Sequence, residues 1–344
     1  MKLLDSINDV TNLKVNPDRF FSATHDEIKS GATTDIYFIN TRDVLRSANL
    51  LDTPVTAEIF TRTTGIFAGL SEVLELLKDA PVKIEALPEG EYFSPKEVVM
   101  RIRGAYGAFG YHETNLLGIL SSSCAWATAA RECVEAAEGK AVLSFGARHL
   151  HPAIAPVMEA IAVKFGGCAG ASCVLGAKLI GREPLGTIPH AAVLIMGDTV
   201  KLAKTYDEVL PPEIGRTFLV DTFKDECEEA LRLCEALGDK LGAVRLDTPG
   251  ERGGVTAELV KEMRYRLDSA GFNKVKIVVS GGLNPARIRE LAHAGADVFG
   301  VGSYIAHAVP MDMTMDLKEV NGKPVAKRGR LPGILENKRL INVK

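Results

Sequence analysis

Seven times between residues 140 and 304 a short apolar run ends in a polar or glycine-bearing tip. The tips read FGAR (145–148), GAS (170–172), GTIPH (186–190), VDTF (220–223), RLDTP (245–249), SGGLNP (280–285) and VGS (301–303). A helix-like stretch follows almost every one. That rhythm is what parallel βα units produce, and few folds accommodate it. It predicts an α/β fold whose centre is an irregular parallel βα barrel of about seven strands. In such barrels the C-terminal strand ends carry the chemistry, so the tips double as candidate site residues.

The flanking segments have a different grammar. THDEIKSG reads as a helix entry closed by Gly31, and TTDIYFI as a strand. A strand and a helix fit residues 54–78, and turns at PEG and SPK divide residues 82–109 into a meander. A helix is expected over about Glu113–Ala137. The tail contains Asn321-Gly322 between strand-like residues, a hairpin signal. These pieces predict an α+β open sandwich built from residues 1–125 and 309–344, around a barrel of residues 126–308.

Bulk properties narrow the function. The 344 residues carry 41 Lys and Arg against 44 Asp and Glu, a formal net charge of −3, without a basic block. Nucleic acid is therefore not an expected partner. No apolar stretch is long enough to span a membrane, and the N-terminus lacks the apolar core of a signal peptide. The six cysteines show no C-x-x-C spacing and read as reduced, buried thiols. A cytoplasmic location is expected.

The tips suggest a ligand. In SGGLNP, Gly281 and Gly282 let backbone approach closely at a helix start, where amide N–H groups suit a phosphate. Gly302 and Ser303 repeat that device one unit later. Phe145 offers a flat face beside the guanidinium of Arg148, a combination suited to an aromatic acid. Arg245 and Asp247 share one face of a strand, either as an ion pair or as ligands for sugar hydroxyls, Mg²⁺ or a cation. His190 opens a helix, with Asp221 ending another strand. A histidine oriented by a carboxylate can act as a nucleophile toward phosphate. Metal ligands are not identifiable.

Taken in order, FGARHLHPAI, GASCVLGAKLIGREPLGTIPHA and RLDTPGERGG resemble the nicotinate phosphoribosyltransferases. HDEIKSGATTDIYF, HETNLLGILSSSCAWATAAR and DLKEVNGKPVAKRGR extend the likeness to nearly the whole chain. The resemblance implies transfer of phosphoribose from 5-phosphoribosyl-1-diphosphate (PRPP) to nicotinate in NAD salvage, with Mg²⁺ on the diphosphate. It further implies ATP as co-substrate, coupled through a phosphohistidine at His190 beside Asp221. Phe145 and Tyr37 would sandwich the pyridine, Tyr37 coming from the second subunit of a homodimer with shared active sites. Arg148 and Arg245 would contact substrates and Asp247 the ribose. Gly281, Gly282, Gly302 and Ser303 would hold the 5′-phosphate. Ser172 stands where nicotinamide-using relatives place a carboxylate, and so favours the acid. Ala147 and Ala171 depart from the bulkier or hydroxylated residues common there. Quinolinate or nicotinamide transfer, and a non-catalytic ligand-binding homologue, are the alternatives. Quinolinate would call for a denser set of cations than the single Arg148 of FGAR.

Overall fold

A computed structural model describes residues 2–344. The chain divides into two compact units, one reaching to Thr128 together with Val309–Lys344, the other Ala129–Ala308.

The first unit is built on an antiparallel sheet. Its main strands are β1 (Pro54–Thr61), β3 (Lys83–Ala86) and β5 (Val98–Ala105), and a short pair, β2 (Gly65–Ile66) and β4 (Tyr92–Phe93), lies apart. In β1, every residue after Pro54 is buried. Ile59, Ile84, Met100 and Ile102 form its core with Phe67, Phe109 and Leu120. Leu120 belongs to the helix Glu113–Ala136, a 24-residue run rich in Ala and Leu and free of Pro.

TTDIYFI is not a strand. Ile36–Ser47 is a helix. Its buried side chains are Phe38, Ile39 and Arg42, while Ile36, Tyr37 and Val44 face solvent. The one-and-four spacing is a helical stripe, and this burial outweighs the β-propensity of the isoleucine–tyrosine–phenylalanine run.

The tail hairpin forms as expected. Asn321 (φ 53°) and Gly322 (φ 72°) both take left-handed backbone, the turn that Asn-Gly favours. They join β12 (Met313–Val320) to β13 (Lys323–Pro324), and β12 pairs antiparallel with β1. A last strand, β14 (Ile341–Asn342), pairs with β3. The six-stranded order is β13-β12-β1-β5-β3-β14.

The second unit is the α/β barrel. Its parallel strands are β6 (Ala141–Ser144), β7 (Gly170–Ala171), β8 (Thr217–Leu219), β9 (Ala243–Leu246), β10 (Lys276–Ser280) and β11 (Val298–Val301), in the order β7-β6-β11-β10-β9-β8. The segment ending in GTIPH forms no regular strand. Pro184 and Pro189 each lack an N–H, which denies the segment a ladder. It follows β7 through one backbone bond, from Leu185 N to Ala171 O at 2.8 Å.

Candidate active site

The strand ends of the barrel converge through a chain of contacts. Phe145 follows β6 and donates its N–H to Val301 O at 2.8 Å. Its ring lies over Gly300, where a Cβ would come within 2.6 Å of the ring carbons. Only glycine leaves room for that face of the phenylalanine. The Arg245 guanidinium, arriving from β9, stands 5.5 Å from the ring centroid.

Arg245 links the ends of three strands, β6, β9 and β10, to the irregular segment that carries Thr187. Its Nε donates to Ser280 Oγ at 2.8 Å, its Nη1 to Thr187 Oγ1 at 2.7 Å and its Nη2 to Asp247 Oδ2 at 3.2 Å. Ser280 Oγ donates to Asp247 Oδ1 at 2.7 Å. The Arg245–Asp247 pair therefore exists, but as part of a wider network at the ends of β9 and β10. Hydrogen bonds to charged groups are short and strong, and here they fix the direction of both side chains. Thr187 and Ser280 were not singled out in the sequence, although both lie within tips.

His190 opens the helix His190–Met196. Its Nε2 lies 3.1 Å from both carboxylate oxygens of Asp221. The Asp221 side chain is 2% exposed. Burial pushes its pKa up, the nearby Asp247 charge adds to that, and His190 opposes both.

The two glycine turns stand beside this network. Gly281 (φ 92°) and Gly282 (φ 61°) lead into Asn284, whose side chain caps the helix Pro285–Ala294 by accepting from Arg287 N. Gly281 passes so close that a Cβ there would lie 3.3 Å from Asp247 Oδ1. At Gly302 a Cβ would meet Phe145 O at 2.9 Å and His149 Nε2 at 3.0 Å. Ser303 begins the next helical turn.

Three predicted residues sit differently. Arg148 lies exposed in the turn Ala147–His149 and makes no ion pair among the described residues. Ser172 Oγ donates inward to Glu159 at 2.9 Å. Tyr37 belongs to the other unit, 56% exposed, its ring centroid 4.3 Å from that of Phe38. No group of three or more His, Cys, Asp or Glu is placed to hold a metal among the described residues, and no described helix is long and apolar enough to cross a membrane. Five of the six cysteines are buried thiols and Cys173 is partly buried.

A parallel barrel with paired glycine turns at adjacent strand ends, and the Phe145 ring beside the Arg245 guanidinium, defines the class of α/β-barrel enzymes whose sites lie at the strand ends. Comparison with known proteins sharpens this. The family model for the N-terminal domain of quinolinate phosphoribosyl transferase matches residues 35–124, and that for its C-terminal domain residues 126–316. The chain belongs to this phosphoribosyltransferase family. The crystal structure of a nicotinate-nucleotide pyrophosphorylase from Pyrococcus furiosus superposes with a TM-score of 0.88 at 47% identity, over 92% of this chain and 82% of that one. A probable carboxylating nicotinate-nucleotide pyrophosphorylase of Archaeoglobus fulgidus is 28% identical over 74% of this chain and 91% of its own. A nicotinate phosphoribosyltransferase of Mycobacterium tuberculosis is 30% identical over 87% of this chain and 75% of its own.

These matches overturn the expectation of a nicotinate phosphoribosyltransferase. Both domain models are those of the quinolinate enzyme, and the 47% match is to a nicotinate-nucleotide pyrophosphorylase. ATP as co-substrate, a phosphohistidine at His190 and the ATP-dependent ligase class that such coupling would imply find no support in these matches. The error has a physical source. Cations were counted one tip at a time, which left only Arg148 for the acid. In the fold, Arg245 reaches the Phe145 ring from a strand a hundred residues away in sequence.

Proposed function

We propose that this chain is a quinolinate phosphoribosyltransferase acting in NAD biosynthesis. The ring nitrogen of quinolinate displaces diphosphate from C1 of PRPP. The C2–carboxylate bond then breaks, CO₂ departs, and the electron pair left at C2 is stabilised by the adjacent cationic nitrogen until a proton from water replaces it. The product is nicotinate mononucleotide. The observation that carries this reading is the 47% identity to the Pyrococcus furiosus pyrophosphorylase over 92% of the chain.

The residues supply the required parts. Phe145 offers the ring a face, and Arg148 and Arg245 offer two guanidinium groups to two carboxylates. Displacing diphosphate builds positive charge on the ribose, and Asp247 and Asp221 are the carboxylates on hand to stabilise it. Gly281, Gly282, Gly302 and Ser303 present amide N–H groups to the 5′-phosphate. His190 holds Asp221 in place. Mg²⁺ enters with PRPP as part of that substrate. Tyr37 covers the second ring face from the partner subunit of a homodimer.

The test is to incubate the purified protein with PRPP, Mg²⁺ and each of quinolinate, nicotinate and nicotinamide. Quinolinate should be consumed with one CO₂ and one diphosphate released per nucleotide, at a rate indifferent to ATP. Consumption of nicotinate alone, without CO₂, would overturn the proposal.

A further inference from the structure

Glu159 sits in the middle of the apolar helix Ala155–Lys164 and is 0% exposed. Three donors converge on its carboxylate. Ala147 N–H reaches Oε1 at 3.2 Å, Ser172 Oγ reaches Oε1 at 2.9 Å, and Cys173 N–H reaches Oε2 at 2.6 Å. Ala147 lies between Phe145 and Arg148 at the tip of β6, while Ser172 and Cys173 form the tip of β7. One side chain therefore ties two neighbouring tips together. Gly176 permits the close approach this requires. A Cβ there would lie 3.0 Å from Pro156 O and 3.4 Å from the Glu159 Cβ.

A buried carboxylate is costly unless it is hydrogen-bonded, and this one is satisfied by two amides and a hydroxyl. The arrangement also decides what Ser172 can do. Its single hydroxyl proton is given to Glu159, so toward the cavity the oxygen has only lone pairs to offer. Ser172 is then a tie rather than a donor to the substrate's carboxylate.

We infer that Glu159 is a positioning residue for the pyridine acid: it locks the tips of β6 and β7 in one register and so aims Phe145 and Arg148. The inference rests on the reading that these two tips cradle the acid. The three ties of Glu159 run to the tips of β6 and β7 and none to the glycine turns of β10 and β11, so its loss is expected to fall more heavily on the acid than on PRPP, even though the β6 tip packs against Gly302.

Glu159→Gln keeps the shape but sets an amide against the Cys173 N–H, and Ser172→Ala removes one tie with the carboxylate intact. Each variant is assayed with quinolinate and PRPP varied in turn, alongside its melting temperature. Glu159→Gln should raise KM for quinolinate by about tenfold or more while KM for PRPP stays within about twofold, since small misplacements of a reacting group are expensive. Ser172→Ala should move the same KM less. Equal rises in both KM values, or a lowered melting temperature with both unchanged, would overturn the inference. If Glu159→Gln does not fold, an unchanged quinolinate KM in Ser172→Ala overturns it alone. A wild-type protein inert toward quinolinate but active with nicotinate would sink the functional proposal only, and the same split of KM values is then expected with nicotinate as the varied acid.

Discussion

Glu113 shows how one side chain can set a pH limit. It opens the long helix of the sandwich unit, and burial raises its pKa to about 7, with the Asp316 charge adding to the shift. The folded state thus prefers the protonated acid. Its contribution is complete below the ordinary value near 4.5 and fades as pH rises through about 7. Partial contact with solvent limits the effect to about 1–3 kcal/mol. The melting temperature of the wild type should fall several degrees more between about pH 5 and about pH 8 than that of Glu113→Gln. Parallel curves for the two proteins would show that Glu113 carries no such strain. At this scale the sequence was most legible where a side chain terminates a strand. Phe145, Arg245, Asp247 and Gly281 are linked through the contacts around Arg245, and His190 meets Asp221, because a βα tip leaves its polar residues few directions to point. Glu159 was invisible because a lone carboxylate within APVMEAIAVK has no motif to announce it.

Among the elements, the stretch around Leu335, ahead of the pairing of β14 with β3, is held by buried charge. Arg101 on β5 is bonded to Glu58 on β1 at 2.8 Å and donates to Leu335 O at 2.6 Å, while Leu335 N donates back to Glu58 at 3.1 Å. Glu58 is 1% exposed. Arg101→Ala leaves that carboxylate buried without its cation, which costs about 3–5 kcal/mol. Urea midpoints should report this, with Lys29→Ala as the contrast. Lys29 bonds to exposed Glu75, and such pairs contribute at most about 1 kcal/mol. Similar shifts for both variants would refute the distinction. Ile36–Ser47 looked extended because its residues favour strands in isolation, and only the stripe of Phe38, Ile39 and Arg42 reveals the helix. The segment before His190 reads as a strand from its place in the βα rhythm, but Pro184 and Pro189 cannot donate to a ladder.

For the molecule as a whole, the question is what must be supplied from outside. No described cluster can hold a resident metal, and Mg²⁺ is proposed to arrive on the diphosphate of PRPP. A chelator should therefore stop turnover while leaving the melting temperature of the protein alone within about one degree, because an ion that does not bind the free fold cannot stabilise it. A drop of several degrees would reveal a structural ion. The interrupted side of the barrel has a further consequence. Between β7 and β8 the chain from Gly181 to Pro189 joins no ladder and is held by scattered contacts, among them Leu185 N–H to Ala171 O, Arg182 to Ala169 O and Arg245 to Thr187. It is a seam rather than a stave. Its length and composition can drift without unpicking the glycine turns of β10 and β11, so this is where descendants of the scaffold have room to vary.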